Sequence, residues 1–74
     1  MDWADCPDVE RIPGKVSGAW VVKGTRIRAD DVVANADQRT PEQIVAEIYP
    51  SLPLDRAKRI VAYARERAHA SHPA

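Results

Sequence analysis

The sequence predicts a mainly α domain, an N-terminal β-hairpin followed by a three-helix core whose last two helices form a helix-turn-helix pair. Three observations carry that expectation. Glycine and proline (Pro13, Gly14, Gly18, Gly24) crowd residues 9–28 among β-branched residues and Trp20, which disfavours helix there. Apolar residues then recur at helical spacing through residues 40–67. Finally, Pro50-Ser51-Leu52-Pro53 interrupts the spacing for the length of a helix-turn-helix turn.

Short strands are expected near Val9–Ile12, Trp20–Val22 and Thr25–Arg28, the last two joined at Lys23-Gly24, where Gly24 can take the positive φ that a two-residue turn demands. Alternation sets Arg26 and Arg28 on one face and Ile27 on the other. A hairpin this short is not stable alone, and exposed strand edges invite pairing. Trp20, Val22, Gly24, Thr25, Arg26 and Ile27 are therefore the candidate hairpin and homodimer element.

Asp30 is the expected N-cap of the first helix, with Val32, Val33 and Ala36 as its apolar face and an end around Asp37–Arg39. Thr40 caps the second, Pro41 fits its first position and Gln43 completes a capping box. Ile44, Val45 and Ile48 form its buried stripe, and Pro50 stops it after Tyr49. In the third, Leu54, Ala57, Ile60, Val61, Ala64 and Ala68 trace one apolar face, opposite a stripe of Arg56, Arg59, Tyr63 and Arg67 flanked by Lys58 and Arg65. The chain thus divides into residues 1–28 (strands and hairpin), 29–69 (three-helix core) and 70–74 (flexible tail), one domain in all.

With 74 residues the chain supports a single small core. The lone Cys6 cannot form an internal disulfide, no apolar run approaches the roughly 18–20 residues that span a bilayer, and the start of the chain is acidic where a signal peptide is basic. The expectation is a cytoplasmic protein without membrane association. Eleven basic and eleven acidic residues cancel, but in blocks: −4 over residues 1–10, +5 over 11–28, −4 over 29–49 and +3 over 54–67. Such segregation favours docking surfaces of both signs.

Arg56, Lys58, Arg59, Tyr63 and Arg67 are the candidate DNA contacts, weighed against a plain solvated helix face in which Asp55 and Arg59 pair at i,i+4. Lys23, Arg26 and Arg28 allow a basic β-ribbon on a duplex. The simpler reading is favoured: Gly24 makes the turn, and Thr25 and Arg26 tie the hairpin to the helices. Trp3, Asp5, Asp8 and Glu10 are the candidate partner-binding residues, an acidic segment suited to a basic partner surface, although Trp3, Trp20 and Tyr49 also suit a core or a dimer interface. Cys6 has no histidine at ligand spacing, and His69 with His72 is a weak metal signal in the tail, so neither a metal nor another cofactor is expected. No catalytic constellation, phosphate-binding glycine loop or small-molecule substrate site is indicated, and an enzyme is not expected.

The run SGAWVVKGTRIRADDV, then TPEQI, then YPSLPLDRAKRIVAYA, resembles the small bacterial proteins of the domain of unknown function 433, and the opening WADCPDVERIPGKVSG is similar to one branch of them. The resemblance implies a hairpin joined to a homeodomain-like three-helix core, often dimeric. It also implies an antitoxin of a toxin-antitoxin system, with a DNA operator or a PIN-like toxin encoded next door as partner. The chain departs from the family where Asp37-Gln38-Arg39 runs straight into Thr40, and where Pro53 stands at the usual Thr or Ser cap of the last helix.

Overall fold

Val9 and Glu10 form the first strand, β1, and pair antiparallel with Val21–Val22, β2, in the register Val9↔Val22 and Glu10↔Val21. This is a computed structural model, and it describes residues 3–14 and 18–70. Asp2, Lys15, the His69 side chain, His72 and the tail from 71 onward lie outside the described residues. Helices α1 (Ala29–Asn35), α2 (Pro41–Glu47) and α3 (Leu54–Ala70) follow. The architecture is mainly α with an N-terminal hairpin, as expected.

The hairpin differs in its partner strand. The third extended stretch contributes an isolated bridge, Val21↔Arg28, whereas the ladder joins β2 to β1. Thr25 explains why. Its hydroxyl donates to the Val22 carbonyl at 2.8 Å and accepts from the Ile27 amide at 3.0 Å, so it stands in for the direct bond a regular ladder would make between those residues. The return bond survives, Val22 N–H to the Ile27 carbonyl at 2.8 Å, and the turn closes through Thr25 N–H to Val22 O with Gly24 at φ 81°. A side chain with Cβ at that φ would be strained.

Helix α1 starts one residue before the expected cap. Arg28 is its N-cap and gives no side-chain cap, while Asp30 lies in the first turn, where its charge suits the helix dipole. The helix also ends early, at Asn35: the Asn35 side-chain amide donates to the Asp31 carbonyl, and the Asn35 carbonyl takes the Gln38 and Arg39 amides in a turn. Helix α2 has the expected capping box, with Thr40 Oγ1 accepting from Gln43 N–H at 3.2 Å and Gln43 Oε1 from Thr40 N–H at 2.9 Å. It closes at Glu47, two residues before Tyr49, because Pro50 drives the residue ahead of it out of helical geometry. The Ile44 carbonyl then collects both the Ile48 and Tyr49 amides.

The core contains Val9 and Val22 from the hairpin, Ala29 and Val32 from α1, Ile44, Leu52, and Ala57, Ile60, Val61 and Ala64 from α3. Trp3 and Cys6, from the segment before β1, belong to the same cluster. Each helix lays one stripe on this core, and α3 is the element that the other two helices pack against.

Candidate functional site

Helix α3 orders its cations by its own periodicity, with Ala57, Ile60, Val61 and Ala64 turned inward and Arg56, Arg59, Tyr63 and Arg67 along another side. That stripe is occupied. The segment Trp3–Asp8 lies along it and meets all four residues.

Asp8, 4% exposed, sits between two arginines. Arg59 Nε donates to both carboxylate oxygens at 2.9 Å, and Arg56 Nη1 reaches Oδ1 at 3.2 Å. The hydrogen bond to Asp8 holds the Arg59 guanidinium charged further into alkali than usual, with the fields of Asp8 and Asp55 adding to it and partial desolvation opposing it. One turn along, the Trp3 and Tyr63 rings stack with centroids 5.4 Å apart and planes 20° apart, and the Trp3 Nε1–H donates to Asp30 Oδ1 at 2.9 Å. Beyond them Arg67 Cζ lies 4.8 Å from the Tyr63 centroid, and its Nη2 meets Asp5 Oδ2 at 3.4 Å. The result is a zipper of anion on cation and ring on ring.

Lys58 pairs with Glu42 of α2 at 3.6 Å, so Arg56, Lys58, Arg59 and Arg67 of the expected DNA-binding set each face a carboxylate within the chain. Of the expected partner-binding set, Trp3 and Asp8 are buried and the Glu10 carboxylate accepts the Gly24 amide at 2.8 Å. Asp5 alone is exposed among those four. The two sets, read from the sequence as separate surfaces, are thus brought together face to face. The signal for this lay in the block charges: −4 at residues 1–10 and +3 at 54–67 are complementary within one small chain. Asp30 as the acceptor for Trp3 had no such signal.

In the hairpin, Trp20 and Ile27 pack partly buried against the core, Val22 is fully buried, and Gly24 and Thr25 form the turn. Contrary to expectation, Thr25 and Arg26 do not tie the hairpin to the helices: Thr25 bonds within the hairpin, and Arg26 is exposed, as are Lys23 and Arg28, with no side-chain bond among the described residues. Among the described residues, two shallow depressions border α3. One, about 200 Å³, is lined by Val33, Ala36, Val61 and Ala64 with Asp37 and Arg65; the other, about 260 Å³, lies on the seam of Cys6, Pro7 and Asp8 with Arg59 and Tyr63. Both are smaller than the roughly 300–1,000 Å³ of ordinary small-molecule sites. Among the described residues no cluster of three or more metal-ligating side chains occurs, and no helix is long and apolar enough to cross a membrane.

A family model described as "Protein of unknown function (DUF433)" matches residues 9–64, more than half of the chain. The match starts at β1 and runs into α3; Trp3, Asp5, Cys6 and Asp8 precede it. No curated protein and no solved structure gives a significant match.

Proposed function

The chain belongs to the DUF433 family, and from that premise we propose that it is a small helix-turn-helix DNA-binding autoregulator of the antitoxin kind. The observation that supports this reading is the placement of α3. It follows α2 across a short proline-bounded turn, buries one stripe in the core and carries Lys58, Arg59, Arg65 and Arg67 on exposed positions. In proteins of this type the second helix of the pair enters the major groove while cations on it and beside it contact phosphates. Gel-shift titration with the promoter of the protein's own operon tests the reading, with salt-sensitive binding at micromolar protein or tighter as the expected result. Binding that is absent at that concentration, or indifferent to salt, excludes it.

A second reading is favoured by the ion pairs of Arg56, Arg59 and Arg67, which cancel much of the charge that α3 would bring to DNA. In it the chain is a protein-binding module that neutralises a PIN-like nuclease encoded next door by occlusion, without binding DNA. Asp31 would face the nuclease's basic groove, as would Asp5, Glu42 and Glu47 by exchanging their partners Arg67, Lys58 and Arg39 for its cations. Co-purification with the product of the adjacent gene, in the absence of any promoter shift, distinguishes this reading from the first.

A further inference from the structure

The turn end of the hairpin gathers three exposed cations that make no ion pair among the described residues. β2 has β1 on one side and Arg28 on the other, through Glu10↔Val21 and Val21↔Arg28. Opposed residues in antiparallel rows share a face, and faces alternate along each strand. Arg28 therefore stands in the row of Glu10 and Val21, a row covered at its centre, where Val21 is 1% exposed, while Lys23 and Arg26 stand on either side of Gly24 and Thr25 at the turn. Val9, Val22 and Ile27 take the other side, against the core. Lys23, Arg26 and Arg28 are all exposed, and none makes an ion pair or side-chain hydrogen bond within the described residues. Of the acids nearest in the pairing, Glu10 accepts the Gly24 amide and sets one negative charge against the three cations, and Asp8, whose carbonyl accepts the Lys23 amide, turns its carboxylate to Arg56 and Arg59.

Like charges gathered around one turn repel, and a bound polyanion relieves that repulsion. At α3 the balance is opposite: Asp5 and Asp8 already pair with Arg56, Arg59 and Arg67 and compete with phosphates for them. We infer that Lys23, Arg26 and Arg28 form a phosphate-binding face through which the hairpin docks on the backbone of duplex DNA. This deepens the DNA-binding reading above and rests on it. Two features favour nucleic acid over a protein partner. Arginine presents a fork matched to phosphate, and the exposed large apolar side chain among the described residues is Ile12, which is too little for the apolar centre around which protein interfaces pack. A second copy seated on the same face in a two-fold contact would set cations against cations.

The test uses the full chain and a fluorescent duplex carrying the operon's own promoter, titrated by anisotropy over a salt series. Wild-type affinity should fall with salt, and the triple variant Lys23→Gln/Arg26→Gln/Arg28→Gln should bind at least about tenfold more weakly at low salt. Its slope of log affinity against log salt should be shallower by about 3, near one for each phosphate that is no longer neutralised. Lys58→Gln/Arg65→Gln on α3, where contacts are also proposed, should flatten the slope by at most about 2, one per cation, and so by less than the hairpin variant does. If the α3 variant loses the slope and the hairpin variant keeps it, the inference is overturned and the DNA-binding reading stands. If wild type shows no salt-sensitive binding to the duplex, both fall. Loss of capture of the adjacent gene's product by the hairpin variant, with DNA binding unchanged, overturns the inference in favour of a protein partner. Should the triple variant lose its helical circular dichroism, Arg26→Gln alone decides the matter, with an expected slope change of about 1 and an unchanged slope counting against the face.

Discussion

Asp8 takes a carboxylate into the interior, and it is tolerated because two guanidinium groups close over it at 2.9 and 3.2 Å. The arginines stay partly in water, with side chains 30% and 55% exposed, so solvent screens part of the attraction. Replacing Asp8 by Asn keeps the shape and removes the charge. The expected loss is about 1–2 kcal/mol, the lower part of the range for hydrogen bonds to charged groups. At about 4–8 °C per kcal/mol for a domain of this size, a circular-dichroism melt should show Tm lowered by roughly 5–15 °C. Arg56→Gln/Arg59→Gln should lower Tm further than Asp8→Asn, because it leaves the carboxylate buried with neither cation, whereas Asp8→Asn leaves arginines that can turn to solvent. Equal melts for both variants and wild type would reduce the cluster to an ordinary surface pair. For pH the sign follows from Arg59, whose folded pKa is raised. A raised base contributes stability that is fully present below its unfolded pKa and fades as pH rises through the folded value. The Arg59 share of the clamp should therefore be unchanged between neutral and mildly alkaline pH and be lost only at the alkaline extreme.

At the scale of elements, α2 is the clearest case of local chemistry deciding local structure. Seven residues are too few to hold a helix by propensity, and the reciprocal bonds of Thr40 and Gln43 satisfy two amides that would otherwise be left open at its start. Thr40→Ala should cost about 1 kcal/mol, read as a Tm lowered by roughly 4–8 °C, with Thr40→Ser close to wild type. No change in the alanine variant would assign the start of α2 to Pro41 and core packing instead. This element was legible because Thr-Pro-Glu-Gln and Pro50 are signals within a few residues of the helix they bound. The α3 face was legible for the same reason, as Ala57, Ile60, Val61 and Ala64 repeat at helical spacing and all are buried. The hairpin was legible only in part: Gly24 marked the turn, but two-residue strands carry no periodicity, and the choice of β1 as partner depends on Thr25 intercepting the competing ladder. The N-cap of α1 falls at Arg28, which its bridge to Val21 holds extended, and Asp30, a good capping residue by type, lies in the first turn and bonds instead to Trp3.

For the molecule as a whole, the segment before β1 is a structural part of a small domain. Trp3 is 1% exposed, Cys6 is buried, and Asp8 ties β1 to α3 across some fifty residues of chain. Block charges made the attraction between the two ends visible in the sequence, but not its consequence that the candidate DNA stripe and the candidate partner-binding segment satisfy each other. Truncating a buried tryptophan to alanine costs about 3–5 kcal/mol, and a domain below about 80 residues rarely holds more than that in total. Trp3→Ala should therefore leave a large unfolded fraction, seen as a broadened, low-temperature melt and loss of the stacked-ring signal in near-ultraviolet circular dichroism. Trp3→Phe, which keeps a ring against Tyr63 and loses the bond to Asp30, should melt in between. If Trp3→Ala instead folds like wild type, the segment is a removable cover. Arg56, Arg59 and Arg67 could then be released to solvent at little cost in stability, and the same variant should bind promoter DNA more tightly through α3 than the unaltered chain does.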